Sequence, residues 1–417
     1  IYSIQGNVTI ENVSVTNNTG DFGAIGILNG STATLNGVTI SDNVNSQWGG
    51  GVYVNGAVVN IYESQITNNS ADHGGGLYST ASSVVHMQDV SVTQNTASTT
   101  GGGVACWENS DLSFEGGSIS DNAALGEHGG GLFIHGNSSA TVSDLVVSGN
   151  AANMTGGGIC VGANASISIT RVEITKNTST GEGAGFHAWS VNSDDHFTFD
   201  RVTIAENIAQ SFGGGINIHQ SPTVVIGHSN IVGNVPDQVH FNNDPDIGDI
   251  CNATLNYNNI EGYLDSSIVI IYPELTSLDL NNNIDVGSRF IDSENGNYNL
   301  LASSQLINSG HPDSTDSDGT VADIGAYPYL NSYSGPTWYI TENGNDTTGT
   351  GTSDEPFRSI QAGINFSSEA DSVTIAAGTY VENINFRGRN IKVVGADRKT
   401  TIIDGSQSGS VVTFESG

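Results

Sequence analysis

Short segments of alternating apolar and polar residues recur in a fixed order along the first 234 residues of the chain. Each leads to an asparagine, and these recur at intervals of 25 to 30 residues, at Asn18, Asn43, Asn69, Asn95, Asn122, Asn150, Asn177, Asn207 and Asn234. The residue three positions before each asparagine is a valine or an isoleucine, and apolar residues also lie eight and ten positions before it. Alternation with a period of two predicts strands that bury one face.

A glycine block follows seven of the nine asparagines and opens a further alternating segment, as in residues 74–77 (GGGL). Each repeat thus holds three short strands and three turns, a unit too small to bury its apolar face alone. Stacked repeats can bury it, and equal positions then form ladders spaced about 4.8 Å apart. The pattern predicts an all-β solenoid, a right-handed parallel β-helix with about nine regular coils. A left-handed β-helix repeats at about 18 residues per coil, so the intervals of 25 to 30 residues in this chain favour the right-handed form.

The asparagine ladder and the glycine blocks are predicted to be structural. Stacked asparagine side chains can donate to and accept from one another, and asparagine tolerates left-handed backbone at turns. The glycine blocks predict sharp bends with close backbone approach. They lack the strand-to-helix context of a phosphate-binding loop, which argues against nucleotide binding.

The charge of the chain excludes one class of partner. Lysine and arginine number 10 against 43 aspartates and glutamates, so the formal net charge is −33, and residues 1–170 contain no lysine or arginine. A nucleic-acid backbone requires cations opposite it, so no nucleic-acid partner is expected. No apolar run reaches membrane-spanning length, and we expect no membrane insertion within this chain. The acidity suits a saline or calcium-rich medium, and we expect an extracellular or outer cell-surface location.

Residues 66–69 (ITNN) and 74–77 (GGGL) show how a strand that ends in asparagine alternates with a glycine block. This alternation covers roughly residues 7–234 and resembles the repeats of polymorphic outer-membrane adhesins. The resemblance implies a β-helix in a secreted or cell-surface bacterial protein, and it specifies the fold more than the function.

Two segments after the repeats carry further resemblances. Residues 297–300 (NYNL), 304–310 (SQLINSG) and 323–327 (DIGAY) resemble the closing segment of secreted bacterial β-helix proteins, although glutamine stands at position 305 where proline is common. Residues 338–340 (WYI), 343–346 (NGND), 356–361 (PFRSIQ) and 377–380 (AGTY) resemble the opening of a pectate-lyase-like β-helix.

These resemblances imply a domain organisation in three parts. A β-helix body with its closing segment, at about 235–331, covers residues 1–331, and a linker covers residues 332–336. Residues 337–417 hold the N-terminal cap and the first coils of a second, truncated β-helix. Because Ile1 and Gly417 both interrupt patterned segments, we expect the chain to be part of a longer protein.

The predicted cap contains a helix. Ser353 or Asp354 is expected to precede it, with Pro356 in its first turn. Phe357, Ile360 and Ile364 would line one face of this helix, which in the family plugs the open end of the core.

The residues that alternate with the buried ones after each glycine block point outward and include many rings. The glycan-binding candidates are Tyr53, Tyr78, Trp107, Phe133 and Trp189. Flat rings can stack on the apolar faces of sugars, so we expect an exposed aromatic ladder that binds a polysaccharide or a cell-surface glycan. Aromatic residues also suit strands and stack in ladders without any ligand, which is the alternative interpretation.

Candidate catalytic carboxylates lie near this face and in the longest repeat. Glycoside hydrolysis needs two carboxylates at a defined separation. The candidates are Glu108, Glu127, Asp194 and Asp195, and the sequence does not pair them.

A cluster of aspartates later in the chain is the candidate metal site. Asp313, Asp316, Asp318 and Asp323 surround the turn residue Gly319. Carboxylate oxygens around a turn suit Ca²⁺, the only cofactor that we expect, although the spacing is not that of an EF-hand loop. A solvated acidic turn is the alternative.

The three cysteines, Cys106, Cys160 and Cys251, form neither a disulfide framework nor a zinc motif. The register predicts that Cys106 is buried and Cys160 exposed. The two residues are separated by two coils, about 10 Å, which is beyond the reach of a disulfide bond.

Two classes of function remain open. The first is a non-catalytic secreted or cell-surface protein that acts in adhesion or binds glycans along the aromatic ladder. The alternative is a carbohydrate-active enzyme of the pectate-lyase-like fold, either a polysaccharide lyase or a glycoside hydrolase. A pair of acids over the aromatic face would favour the enzyme.

Overall fold

The computed structural model describes residues 1–190, 194–220, 222–242, 251–263, 269–271 and 277–415. The chain forms two compact units. The first comprises residues 1–256 and 260–283, and the second comprises residues 257–259 and 284–417. Within the described residues, no helix is both long and apolar enough to cross a membrane.

The first unit is a parallel β-helix, which confirms the fold predicted from the repeats. Equivalent strands of successive coils pair in parallel, so Leu77 lies beside Val52 of the previous coil and Val104 of the next. The sheet that follows the glycine blocks, called here the first sheet, contains the strands Tyr2–Ile4, Ile25–Leu28, Val52–Asn55, Leu77–Thr80, Val104–Cys106, Leu132–Ile134, Ile159–Val161, Phe186–Ser190, Ile216–Gln220, Val239–Asn242 and Val269–Ile271.

The second sheet holds the two predicted strands that precede each ladder asparagine. Its members are Asn7–Glu11, Ser14–Thr16, Thr32–Asn36, Thr39–Ser41, Val58–Tyr62, Gln65–Thr67, Val84–Thr93, Asp111–Ser120, Ser139–Ser143, Val146–Ser148, Ser166–Thr170, Glu173–Thr175, His196–Asp200, Thr203–Ala205, Thr223–Gly227, Asn230–Val232, Asn252–Asn256, Asn259–Ile260 and Ser277–Asp279. In two coils the pair merges into one long strand, Val84–Thr93 or Asp111–Ser120.

A third sheet lies between each ladder asparagine and the next glycine block. Its strands are Thr19–Phe22, Val44–Trp48, Ser70–His73, Thr96–Thr100, Ala123–Ala124, Ala151–Ala152, Thr178–Ser179 and Ile208–Ala209. The sequence pattern did not indicate these strands, because segments such as Ser70–His73 carry little apolar alternation. A regular coil therefore passes through three sheets, and two of its short strands share the second sheet.

The core of the first unit consists of the residues that the alternation predicts. Ile40, Ile66 and Ile119, each three positions before a ladder asparagine, are fully buried. They belong to one continuous apolar cluster with residues of the first sheet such as Val52 and Val54. The core thus runs along the stack of coils.

The asparagine ladder is a chain of side-chain hydrogen bonds, as predicted. Asn122 Nδ2 donates to the Val92 carbonyl and to Asn150 Oδ1, both at 2.9 Å. Asn122 Oδ1 accepts from the backbone N–H of Asn95 at 2.9 Å and from Asn95 Nδ2 at 3.0 Å. The amide-to-amide bond recurs at each step from Asn18 to Asn234, and Asn234 then donates to Gln238 Oε1 at 2.7 Å.

The second unit contains parallel strand pairs, a hairpin and one α-helix. The strands Phe290–Asp292 and Asn297–Leu300 are antiparallel around the 3₁₀ turn Ser293–Asn295. The parallel strands are Thr337–Ile340, Ser372–Ile375 and Lys392–Gly395 in one sheet, Gly378–Val381 with Thr401–Asp404, and Ile384–Asn385 with Val412–Thr413. One core joins Leu306 and Ile324 to Trp338. Residues 332–336 lie within this unit.

The helix of the second unit spans Ile360–Phe366 and is fully buried. The prediction that Ser353 or Asp354 precedes it, with Pro356 in the first turn, is wrong. Residues 351–355 and 358–359 form bends instead, and Phe357 lies before the helix in a parallel bridge with Ile340. The first helical amides, those of Ile360 and Gln361, instead donate to the carboxylate of a distant residue, Glu382.

Candidate functional site

The first sheet carries an apolar cluster on its outer face, separate from the core. In the strand Val52–Asn55, Val52 and Val54 belong to the core while Tyr53 belongs to the outer cluster. Tyr53 lies in a row across the sheet that continues through Tyr78, Ala105, Phe133, Cys160, His187, Asn217 and His240. Trp107 and Trp189 pack against the same cluster. The five predicted aromatic residues therefore lie on one face.

Most of these rings are not exposed, which corrects the prediction of an exposed ladder. Tyr53, Tyr78 and Phe133 have only 6%, 7% and 2% of their surface accessible. Coil stacking brings the Tyr53 and Tyr78 ring centroids to 6.1 Å, and the Trp48 ring stacks on Tyr78 at 6.0 Å. The rings point away from the core and cover one another, so an outward direction does not ensure contact with water.

Among the half-buried rings of the outer face, three form a continuous strip, called here the tryptophan patch: Trp107, His135 and Trp189. The centroid of His135 is 4.6 Å from that of Trp107 and 6.3 Å from that of Trp189. Gly162 lies under this strip, where a Cβ atom would come within 2.3 Å of His135 and 2.9 Å of Trp189. The absence of a side chain at position 162 therefore allows the rings to lie against the sheet.

An acidic and histidine-rich group lies beyond the tryptophan patch. Glu182 Oε2 accepts from Asn217 Nδ2 at 2.9 Å and lies 2.6 Å from His219 Nε2. His187 is buried beside this pair, with its ring centroid 5.3 Å from that of His219. This group was not among the predicted sites, because Glu182 and His219 are 37 residues apart in the sequence. One feature of the sequence could have indicated the group. Glu182 directly precedes a glycine block, and histidines occupy outward positions in the strands that follow such blocks.

Burial and hydrogen bonding set the charges in this group. Burial lowers the pKa of His187 well below its usual value, so this imidazole is neutral. The hydrogen bond from His219 lowers the pKa of Glu182, which keeps this carboxyl ionised. Burial also lowers the pKa of His128 and His135. The face therefore presents three neutral imidazoles, those of His128, His135 and His187, together with the ionised carboxylate of Glu182.

The predicted catalytic carboxylates are placed as follows. Glu108 is exposed and accepts from Thr80 Oγ1 at 2.7 Å. Glu127 is also exposed, before its glycine block. Asp194 is exposed and Asp195 is buried, both just before the strand His196–Asp200 of the second sheet. Glu108 and Glu127 belong to different coils, and their catalytic roles stay a prediction.

The aspartate cluster of the second unit uses its carboxylates to hold backbone. Asp323 Oδ1 and Oδ2 accept from the backbone N–H groups of Asn308 and Tyr329 at 2.8 and 2.7 Å. Asp316 accepts from the backbone N–H of Asp323, and Asp318 from that of Asn331. Asp313 has 93% of its side chain exposed. These bonds give three of the four carboxylates a structural task, and Ca²⁺ binding there stays a prediction.

The buried carboxyl of Asp323 should make the second unit sensitive to pH. Burial raises the pKa of Asp323 to about 7. A folded-state pKa above the unfolded value means that stability is highest at low pH and is lost as pH rises through about 7. We expect a loss on the order of 2 kcal/mol between about pH 5 and about pH 8. Urea unfolding at the two pH values, followed through buried Trp338, measures it.

The Asp323→Asn variant should lose this part of the pH dependence, because its side chain does not titrate. Asp313→Asn is the matched control, since its exposed side chain should leave the pH dependence unchanged. An equal pH dependence in wild type and Asp323→Asn would show that other groups cause it.

The cysteines confirm one prediction and correct another. All three are free thiols, as expected from the register. Cys106 is buried in the core, but Cys160 is also buried, contrary to the prediction. Cys160 does point outward, but it lies within the outer apolar cluster, where the neighbouring rings cover it.

Comparison with known protein families, with curated proteins and with solved structures gave no match. The chain is therefore defined by its fold and by its outer face, as a parallel β-helix with rings and histidines along one sheet.

Proposed function

We propose that the protein is a secreted or cell-surface β-helix that binds a polysaccharide, without cleaving it, along the tryptophan patch. The observation that carries the proposal is the strip of three half-buried rings, Trp107, His135 and Trp189, held in contact on one outer face. Half-buried rings have a fixed orientation and an accessible surface, which suits stacking on sugars.

The surroundings of the patch supply polar groups for sugar hydroxyls. Glu108 is exposed next to Trp107 in sequence, and its carboxylate can accept hydrogen bonds besides the one from Thr80. His135 is neutral at physiological pH because burial lowers its pKa, so it can both donate and accept. A combination of rings and a few placed polar groups is typical of ligand-binding sites.

The charge of the chain favours a neutral polysaccharide. The whole chain has a formal charge of −33, and the first unit has no lysine or arginine before Arg171, so it would repel a polyuronate chain. The resemblance of the repeats to outer-membrane adhesins supports a role at a cell surface, and the resemblance to pectate-lyase-like proteins supports a carbohydrate ligand.

Removal of the two indoles tests the proposal. In gels that contain neutral polysaccharides such as xylan or a β-glucan, wild-type protein should be retarded. The double variant Trp107→Ala/Trp189→Ala should bind at least about tenfold more weakly, because aromatic contacts dominate such interfaces. Trp107→Phe should retain binding, since it keeps a ring at this position.

The controls separate binding from folding and from catalysis. Tyr62→Ala removes a half-buried ring from the second sheet and should leave binding unchanged. Circular dichroism should show all variants folded. Binding by the double variant at wild-type strength would refute the tryptophan patch. Release of reducing ends from the same polysaccharides would instead support the enzymatic alternative.

A further inference from the structure

The group of Glu182, His187 and His219 has the geometry of a metal site. One ligand atom from each of these residues can be chosen so that all three lie within 4.8 Å of one another. They are held on neighbouring coils, because His187 and Trp189 pair with Asn217 and His219 on the next strand of the first sheet. Strand pairing therefore fixes the backbone of both histidines before any ligand binds.

Unsatisfied buried atoms point to a missing partner at this group. Only 4% of His187 is exposed, and its Nδ1 atom is buried without a hydrogen-bond partner. The Oδ1 atom of Asn217, whose amide donates to Glu182, is likewise buried and unpartnered. A buried polar atom without a partner costs free energy, and native proteins rarely leave one in that state.

We infer that Glu182, His187 and His219 bind a single divalent transition-metal ion, with Zn²⁺ the best fit. Two imidazole nitrogens and one carboxylate oxygen form a ligand set that suits zinc rather than calcium or magnesium. The side chains of Glu182 and His219 are each 25% exposed, so an ion can enter from solvent and keep a water ligand. Asn217 orients the Glu182 carboxylate as a second partner of the site.

Zinc binding at this group does not require the proposed glycan binding, although Trp189 of the tryptophan patch lies beside it, and the group differs from the aspartate cluster in the second unit. His219 and Glu182 lie 2.6 Å apart, so the metal would replace their mutual hydrogen bond and separate the two side chains slightly. The neighbouring Trp189, with its ring 5.5 Å from that of His187, provides a fluorescent reporter.

Metal binding to the full chain tests the inference. After dialysis against Zn²⁺ and gel filtration, wild-type protein should retain about one Zn²⁺ per chain by elemental analysis. Titration with Co²⁺ should quench tryptophan fluorescence and develop visible absorption. Glu182→Gln and His219→Gln should each weaken binding by at least about tenfold, since each removes a ligand. Bound Zn²⁺ should raise the melting temperature of wild type but not of these variants.

A second histidine–carboxylate pair serves as the matched control. His228 Nδ1 lies 2.7 Å from Asp200 Oδ1, and this pair is outside the three-residue group. Asp200→Asn should bind Zn²⁺ as wild type does. Equal Zn²⁺ binding by wild type and the folded double variant Glu182→Gln/His219→Gln would overturn the site, as would an equal loss in Asp200→Asn. Glutamine retains hydrogen-bonding groups at positions 182 and 219, so both variants should fold.

Discussion

Replacing Asn122 with alanine should destabilise the first unit by about 3–5 kcal/mol, one of the largest losses expected from a single side chain in the β-helix. The Asn122 amide makes four hydrogen bonds inside a buried ladder. Alanine leaves the Val92 carbonyl, the Asn95 amide and backbone N–H, and Asn150 Oδ1 without these partners, and all of these residues are buried. Urea unfolding at several protein concentrations would measure the loss.

Asn18 is the matched control for Asn122, because it makes the same side-chain hydrogen bond but is exposed to water. Its side chain donates to Asn43 Oδ1 at 2.8 Å. Water can replace the lost bonds there, so Asn18→Ala should cost less than about 1 kcal/mol. Equal losses for Asn18→Ala and Asn122→Ala would show that the ladder does not depend on buried hydrogen bonds.

Replacing Gly130 with alanine should destabilise the first unit by at least about 3 kcal/mol. A Cβ atom at this position would lie 2.4 Å from the carbonyl oxygens of both Ala151 and Gly157. Both contacts are with backbone, so no side-chain rotation can relieve them and successive coils must separate. The thermal unfolding midpoint, measured by circular dichroism, should fall accordingly.

Gly227→Ala is the matched control for Gly130→Ala. Gly227 also lies in the first unit, in the strand Thr223–Gly227, and a Cβ atom there meets only ordinary contacts at 3.8 and 3.9 Å. We expect a change within about 0.5 kcal/mol for this variant. A large effect at Gly227 and a small one at Gly130 would mean that the glycine blocks serve another purpose than close coil stacking.

The periodic part of the structure could be predicted from the sequence because the pattern that determines it, apolar alternation followed by an asparagine, is local and recurs in every coil. The spacing of Asn122 and Asn150 places both on one ladder, and the alternation before them fixes which residues enter the core. Burial of the outer face could not be predicted in the same way. Whether Tyr53 is covered depends on rings from other coils, and a two-residue period carries no information about what lies outside the sheet.

The candidate site illustrates the same limit. The row of Phe133, Cys160 and His187 followed from the register, because equal ladder positions must lie side by side. The approach of Glu182 to His219 depends on the bend at a glycine block and on side-chain conformations, which alignment of repeats does not specify. The predicted start of the helix was wrong for a related reason. The first helical N–H groups donate to the carboxylate of Glu382, which is remote in sequence, and not to a residue just before the helix.

The asparagine ladder also gives the β-helix an electrical polarity. In each step the amide nitrogen donates toward the C-terminal neighbour, so the side-chain dipoles from Asn18 to Asn234 are aligned and add, much as peptide dipoles add along an α-helix. The electropositive end of this array is at Gln238, whose Nε2 lies 3.2 Å from the carboxylate of Glu261. A negative charge at that end is favourable, and it gives a stack of equivalent coils a chemically distinct terminus.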